Sequence, residues 1–319
     1  MANLSLANAA IVTSAPESAG VRQMIMEENP LMDFIQWAGI AEGVGSHRWF
    51  EETSQNTAAF RAINGSYTAN HALLRPYNEP VAILGGEVAI DMAIPHLYGN
   101  DLPGGIMQYQ LNAKARAAYR KFEETVFEGD TGIDPNSFDG LRIRTAERGM
   151  EFAGNGSGTD RIELTLAMLD EVLMAVVGTK TIHLNQWLIR KINALMRAAG
   201  QARENVGGEF GRIYFSYADF PLVVQERTND MTTILGFDED PGDGGDDAAS
   251  IYVVHWGSSE EDQAVVGLVG AGGAWDAYAL TGAGGAEASP VDKARLEVYV
   301  GIAMHGNRAA ARLKDIGQL

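Results

Sequence analysis

The longest helical pattern in the chain runs from Leu102 to Glu128. Apolar residues recur there at intervals of three and four, which is the spacing of one helix face. They are Leu111, Ala115, Ala118, Phe122 and Val126. The breaker Pro103-Gly104-Gly105 stands at one end of the pattern and Gly129-Asp130 at the other. We therefore predict a helix of roughly 35 Å, about twice the average length, which must lie along an extended surface.

Residues 46–84 have a different pattern, which predicts a long β-hairpin. Segments 47–53 and 58–63 read as strands, and Asn64-Gly65-Ser66 is a turn signal between them and the returning segments 73–76 and 80–84. The returning pattern ends at Gly85-Gly86. Because this section is too polar to have a core of its own, we expect it to project from the body and to need a partner surface.

A glycine-rich link at 154–158 predicts a domain boundary, after which helices and strands alternate. Helices are predicted over 164–177, with Thr165 as the cap, and over 186–199, with Gly200 after the last turn. Strands are predicted over 181–185, 211–215, 221–224, 251–256, 264–269 and 295–304, and residues 308–316 are expected to form a short packed tail. The order of elements predicts a mixed α+β protein.

Composition excludes several classes of function. The chain of 319 residues contains no cysteine, which excludes disulfides and thiolate metal sites. Its formal charge of -18 argues against a sequence-specific reader of nucleic acid, and no Lys or Arg occurs between Arg227 and Lys293. No apolar run approaches 18 residues, and no basic segment precedes the early apolar patch, so we expect neither membrane spanning nor secretion.

A search for catalytic chemistry yields little. The six histidines are scattered without a metal-ligand spacing. The glycines at 270–273 follow a predicted strand, but neither a helix nor a ribose-binding acid follows them at the right distance. No phosphate-binding lysine loop is present. We therefore expect no enzymatic activity and no cofactor.

Each of two charged groups in the sequence allows two interpretations. The acidic loop with Asp238, Asp240 and Asp243 is either a solvated loop or a weak Ca²⁺ or Mg²⁺ site, although its spacing fails the EF-hand pattern. The charged face of the long helix is either solvated and partly paired or close to nucleic-acid phosphates. That face carries Lys114, Arg116, Arg120 and Lys121.

Several short motifs, taken in order, resemble those of the major capsid proteins of tailed bacteriophages, whose fold is shared with encapsulin shells and the herpesvirus capsid floor. The resemblance spans about residues 30–316, and its specificity comes from the order and spacing of the motifs. They are Val81–Glu87 with Ile90-Asp91, Phe122-Glu123-Glu124, Phe138–Leu141, Leu164-Thr165 with Leu169-Asp170-Glu171, Gly211-Arg212 with Phe220-Pro221-Leu222, Gly301-Ile302-Ala303, and Ala309–Leu313.

The resemblance implies an organisation by segment. Residues 1–45 would be an N-terminal arm, and 46–84 an extended loop lying over the neighbouring subunit. Residues 85–155 and 286–319 would form a peripheral domain with the long helix as its spine. Residues 156–285 would form an axial α/β domain. The candidates for contact between subunits are Trp49, Phe50, Phe60, Arg61, Tyr67 and Arg75.

The function implied by the resemblance is structural. The chain would assemble with itself into hexamers and pentamers of an icosahedral shell around double-stranded DNA, in the host cytoplasm, and would end up in the virion. The basic side chains of the spine helix would lie near that DNA. The extended loop has no lysine, so it cannot supply the Lys–Asn crosslink of some relatives.

The resemblance also implies partners and leaves alternatives. The arm is too short for a fused scaffolding segment, so a separate scaffolding protein and a portal are expected, and a cement protein is left open. An encapsulin-type compartment remains an alternative. An α/β ligand-binding enzyme is a more distant one, resting on the alternation over 164–270.

Overall fold

The computed structural model describes residues 30–40, 45–54, 56–91, 105–153, 161–200, 204–207, 213–225, 227–241, 244–245, 247–258, 262–270, 276–280 and 291–318. In chain order the strands are β1 (Trp37–Gly39), β2 (Ser46–Ser54), β3 (Leu73–Pro80), β4 (Ala82–Asp91), β5 (Glu151–Ala153), β6 (Thr181–Leu184), β7 (Glu204–Gly207), β8 (Ile213–Tyr217), β9 (Phe220–Val224), β10 (Ala248–Val254), β11 (Val265–Val269), β12 (Asp276–Leu280), β13 (Val291–Met304) and β14 (Ala310–Gly317). The helices are a 3-10 turn (Pro30–Asp33), α1 (Gly105–Glu128), α2 (Leu141–Glu147), α3 (Leu166–Ala175) and α4 (Gln186–Ala198). The predicted α+β class is confirmed.

Helix α1 is the predicted long helix, and its apolar stripe is buried. Phe122 is 1% exposed and Val126 is fully buried. The two later helices begin at side-chain caps: the Thr165 hydroxyl accepts a hydrogen bond from the Met168 backbone N–H, and the Asn185 side chain accepts one from Leu188 at 2.9 Å. Gly200 follows α4 with φ of +71°, a conformation that favours glycine.

The described strands form two larger sheets and one hairpin. In the five-stranded sheet, β13 pairs with β4 on one side and with β11 and β12 on the other, and β1 joins β11 in parallel. The seven-stranded sheet has the order β5-β14-β10-β6-β9-β8-β7, and β2 pairs with β3 as a separate ribbon. Segments distant in sequence therefore meet in each large sheet.

The buried apolar residues fall into two main clusters. One lies under α1 and combines the 3-10 turn with parts of β10, β11 and β13. The other lies where α3 and α4 cover the seven-stranded sheet. Leu31 of the 3-10 turn is fully buried in the first cluster. The rest of the predicted arm, residues 1–29 and 41–44, lies outside the described residues.

Three sequence-based predictions of elements are wrong. Residues 58–63 form no strand, because this part of the loop has no strand opposite it among the described residues. The predicted tail 308–316 is largely strand β14, which pairs with β10 in the seven-stranded sheet. The pattern predicted to end at Gly85-Gly86 continues through both glycines, because β4 pairs with β13 from Ala82 to Asp91. Glycine is required at position 85, since a Cβ there would lie 2.0 Å from the Leu296 carbonyl oxygen.

The division into arm, loop, peripheral and axial domains stays a prediction. Strand β14, from the segment assigned to the peripheral domain, lies in the seven-stranded sheet with β6 and β10. Strand β11, from the segment assigned to the axial domain, pairs with β13.

Candidate assembly surface

The β2–β3 hairpin has one face toward the body and one toward solvent, because successive strand residues point to opposite sides. Trp49 pairs with Tyr77 across the two strands, and His47 pairs with Glu79. Trp49 is 2% exposed, whereas its neighbour Phe50 is 67% exposed. We call residues 46–52 and 75–80 the base of the hairpin, and residues 56–72 its tip.

Aromatic packing attaches the base to the body. The Trp49 indole stacks on the Tyr77 ring with centroids 5.4 Å apart and meets the His305 ring edge-on at 4.9 Å. It also belongs to a small buried cluster with Val266 and Leu268 of β11. The base therefore has a hydrophobic contact that the sequence did not reveal.

Two ion pairs reinforce this contact. Arg144, on α2, binds both carboxylate oxygens of Glu79 at 2.6 and 2.9 Å and also donates to the Asp139 carbonyl. Arg148 binds both oxygens of Glu51 at 2.8 and 2.9 Å. Such bidentate pairs fix the relative orientation of the two side chains and also stabilise their opposite charges. The base is thus held on the body by four charged side chains.

The carboxylate of Glu51 is the most elaborately bonded acid at the base. Burial alone would raise its pKa, but hydrogen bonds from Arg148, the Trp49 indole and the Gly306 backbone N–H together lower the pKa below its ordinary value. Glu51 is therefore charged at neutral pH and stays bonded to the body.

Trp49 is a correction to the predicted set of subunit contacts, because its side chain is already buried within the protomer. The other members of that set, Phe50, Phe60, Arg61, Tyr67 and Arg75, are all exposed. Arg144, Arg148 and His305, which hold the base, were missed by sequence reasoning. No local signal could have found them, since they lie 65 to 258 residues from their partners on the hairpin.

The tip presents apolar side chains to solvent. Phe60 is fully exposed, Ile63 is 93% exposed and Tyr67 is 65% exposed. Asn64, with φ of +64°, forms the turn that the sequence predicts. Exposed apolar groups in a cluster mark a surface that contacts another molecule.

The basic side chains predicted to lie near DNA are only partly accessible. Lys114, Arg116 and Arg120 are half-buried, and Lys114 lies over Gly86 of the neighbouring strand. Lys121 is exposed and forms an ion pair with Glu124 at 2.7 Å. Their proximity to nucleic acid stays a prediction.

The predicted cation ligands Asp238 and Asp240 line a pocket of about 490 Å³ that also contains Arg142, Arg312 and Glu128. Burial, together with the nearby Asp238 carboxylate, raises the pKa of Glu128 to about 6. Within the described ranges no group of three or more His, Asp or Glu side chains is arranged to hold a metal ion. The third predicted ligand, Asp243, lies outside the described residues.

Among the helices that the structure describes, none combines the length and apolar character needed to cross a bilayer.

The fold has clear relatives among solved structures. The holo-SrpI encapsulin complex from Synechococcus elongatus PCC 7942 superposes with a TM-score of 0.63 at 16% identity, covering 90% of this chain and 87% of that one. The capsid of a native GTA particle gives 0.58 at 13% identity, covering 96% and 92%. Microbacterium phage Oxtober96 gives 0.56 at 14% identity, covering 98% and 99%.

The chain has the tailed-bacteriophage major capsid fold. This confirms the fold expected from the motif order. No protein-family model and no curated protein matches the sequence. At identities of 13 to 16%, the superpositions establish the capsid fold and leave the biochemical role to be argued from the surfaces.

Proposed function

We propose that the chain is a structural shell protein, which assembles with itself into hexamers and pentamers of an icosahedral capsid around double-stranded DNA. The observation that supports this most strongly is the apolar tip of the hairpin. On a capsid fold, Phe60, Ile63 and Tyr67 stand in solvent and belong to none of the buried apolar clusters of the described residues.

The energetics favour a partner for the tip. Burying one large apolar side chain is worth about 1.5–3 kcal/mol, so three such side chains offer a substantial contact. When identical subunits bind head to tail, the contact repeats until a ring closes. Contacts that are modest alone then add up, because the contact that closes a ring forms between subunits that are already linked.

The tip is partly organised before it binds. The Arg61 guanidinium donates to the carbonyl oxygens of Ala62 and Gly65 at 3.4 and 3.3 Å and lies over the Tyr67 ring, 5.4 Å from its centroid. A segment that is shaped in advance loses less entropy on docking. This supports a tip that docks on a neighbouring subunit.

The remaining partners follow from the same proposal. A wall with a formal charge of -18 per chain would repel packaged DNA and so would not adhere to it. Lys114, Arg116, Arg120 and Lys121 are the side chains proposed to lie nearest that DNA. A separate scaffolding protein and a portal complete the proposed assembly, with a cement protein as an additional partner, and the final location is the virion capsid. The role is structural, without catalysis.

Electron microscopy of the purified protein, alone and with co-expressed scaffold, tests the proposal. We expect closed particles of uniform size. A protein that stays monomeric under all these conditions would contradict it. The contents of the particles decide between two kinds of shell: nuclease-protected DNA supports the viral capsid, whereas a single co-purifying enzyme supports the encapsulin alternative suggested by the fold of the Synechococcus elongatus shell.

A further inference from the structure

Two histidines meet at the base of the hairpin. The Nε2 atoms of His47, near the start of β2, and His305, directly after β13, are 3.1 Å apart. His305 is 2% exposed, and both rings pack against Trp49, with centroids 5.5 and 4.9 Å away. The contact therefore joins the hairpin to the body beside the buried Trp49 indole.

The chemistry of imidazole limits how many protons this contact can hold. A hydrogen bond between two nitrogens needs one N–H donor and one lone pair. Two neutral rings provide this, and so does one neutral ring facing one charged ring. Two charged rings present two donors, no acceptor and two positive charges, so the contact cannot survive a second proton.

Two ion pairs flank the histidine pair among the described residues. Glu79, opposite His47 on β3, is bound by Arg144, and Glu51, further along the same face of β2, is bound by Arg148. Strand β11 contributes apolar side chains to this cluster. Within the described part of the chain, two carboxylates thus face two guanidinium groups, and their charges cancel.

We propose that His47 and His305 form a proton-operated latch, which holds the base of the hairpin on the body and opens when both rings are charged. The released pair binds one more proton than the latched pair below the ordinary imidazole pKa of about 6.5, so acid favours release by up to about tenfold per pH unit. If the proposed shell function holds, opening the latch weakens the attachment that Trp49 and the two ion pairs otherwise maintain, which makes mild acid a trigger for rearranging the shell.

Hydrogen exchange measured by mass spectrometry tests the latch on the full-length protein. Protection in β2 and β3 should fall by about tenfold between pH 7.5 and 5.5, after correction for the intrinsic pH dependence of exchange. Peptides from β6 and β10 serve as an internal reference for global opening and should keep their protection over the same range.

Substitutions identify the residues responsible. His47→Gln keeps a neutral hydrogen-bonding group and should abolish the selective acid response, and His305→Gln provides a second route if the first variant folds poorly. His71→Gln removes an exposed histidine of the tip and should leave the response intact. The latch is refuted if the wild type shows no selective loss of protection, or if both glutamine variants keep it. Particle formation, scored separately by microscopy, tests the shell function, so the two proposals can fail independently.

Discussion

The base and the tip belong to the same hairpin, yet the base is packed against the body and the tip is exposed to solvent. At the base, Trp49 is buried against Tyr77 and His305, and two ion pairs join the strands to the body. At the tip, Phe60 and Ile63 stand in solvent. The base is therefore part of the protomer's own structure, whereas the tip is available for a second molecule.

The largest effect is expected for Trp49→Ala. Removing a buried indole costs about 3–5 kcal/mol of the free energy of unfolding, because packing against Tyr77 and β11 is lost. Phe50→Ala, at the adjacent but exposed position, should change that free energy by less than about 0.5 kcal/mol. Urea unfolding of unassembled protein measures both. Equal losses for the two variants would show that the hairpin does not bury one face.

Arg144→Ala should come next, because it leaves the Glu79 carboxylate partly buried without its partner. We expect a loss of about 2–4 kcal/mol, somewhat below the value for a fully buried pair because the Glu79 side chain is 23% exposed. The matched change at the tip, Arg61→Ala, should have little effect on the same unfolding curve. A destabilisation by Arg61→Ala as large as that by Arg144→Ala would contradict the contrast between base and tip.

Acid should loosen the base through Glu51. Its pKa is lowered in the folded protein, so the unfolded chain binds more protons near pH 4.5, and the stability this carboxylate provides is lost as the pH falls below that value. Hydrogen exchange of β2 between pH 5 and 3, measured in the His47→Gln background to exclude the histidine latch, should show this loss. Adding Glu51→Gln should remove the dependence; a dependence that persists would assign it to another group.

The smallest effect on the protomer is expected for Phe60→Asp, since this side chain is fully exposed. The free energy of unfolding should change by less than about 0.5 kcal/mol, whereas particle formation should be lost because a charge would be buried in the contact. Thr68→Asp adds the same charge at a polar, exposed position of the tip and should still assemble. Particles of normal yield from Phe60→Asp, counted by electron microscopy, would show that the tip is not the contact.

Local patterns predicted the elements whose stability is local. The stripe of α1, the Thr165 cap and Gly200 after α4 all depend on residues within a turn or two, so the sequence was sufficient for them. Segment 47–53 was predicted as a strand, but which of its faces is buried depends on β11, Tyr77 and His305. Trp49 was therefore assigned to a neighbouring subunit, although it packs within its own.

Long-range pairing set the limit of prediction elsewhere. Residues 308–316 become a strand only because β10, about 60 residues earlier, lies beside them. Residues 58–63 have strand-like composition but no strand opposite them in the described protomer. The order of motifs nevertheless predicted the fold, because the order and spacing of motifs can identify a fold even when each single motif is too short to do so.

The connection from β3 to β4 has a mechanical consequence. Only Val81 separates the two strands, and β4 then pairs with β13 from Ala82 to Asp91. A force applied to the tip would be transmitted along one backbone to the β4–β13 pairing. The hydrogen bonds there are perpendicular to the strands, so they would bear the force together instead of breaking one by one. The hairpin is thus mechanically coupled to the five-stranded sheet.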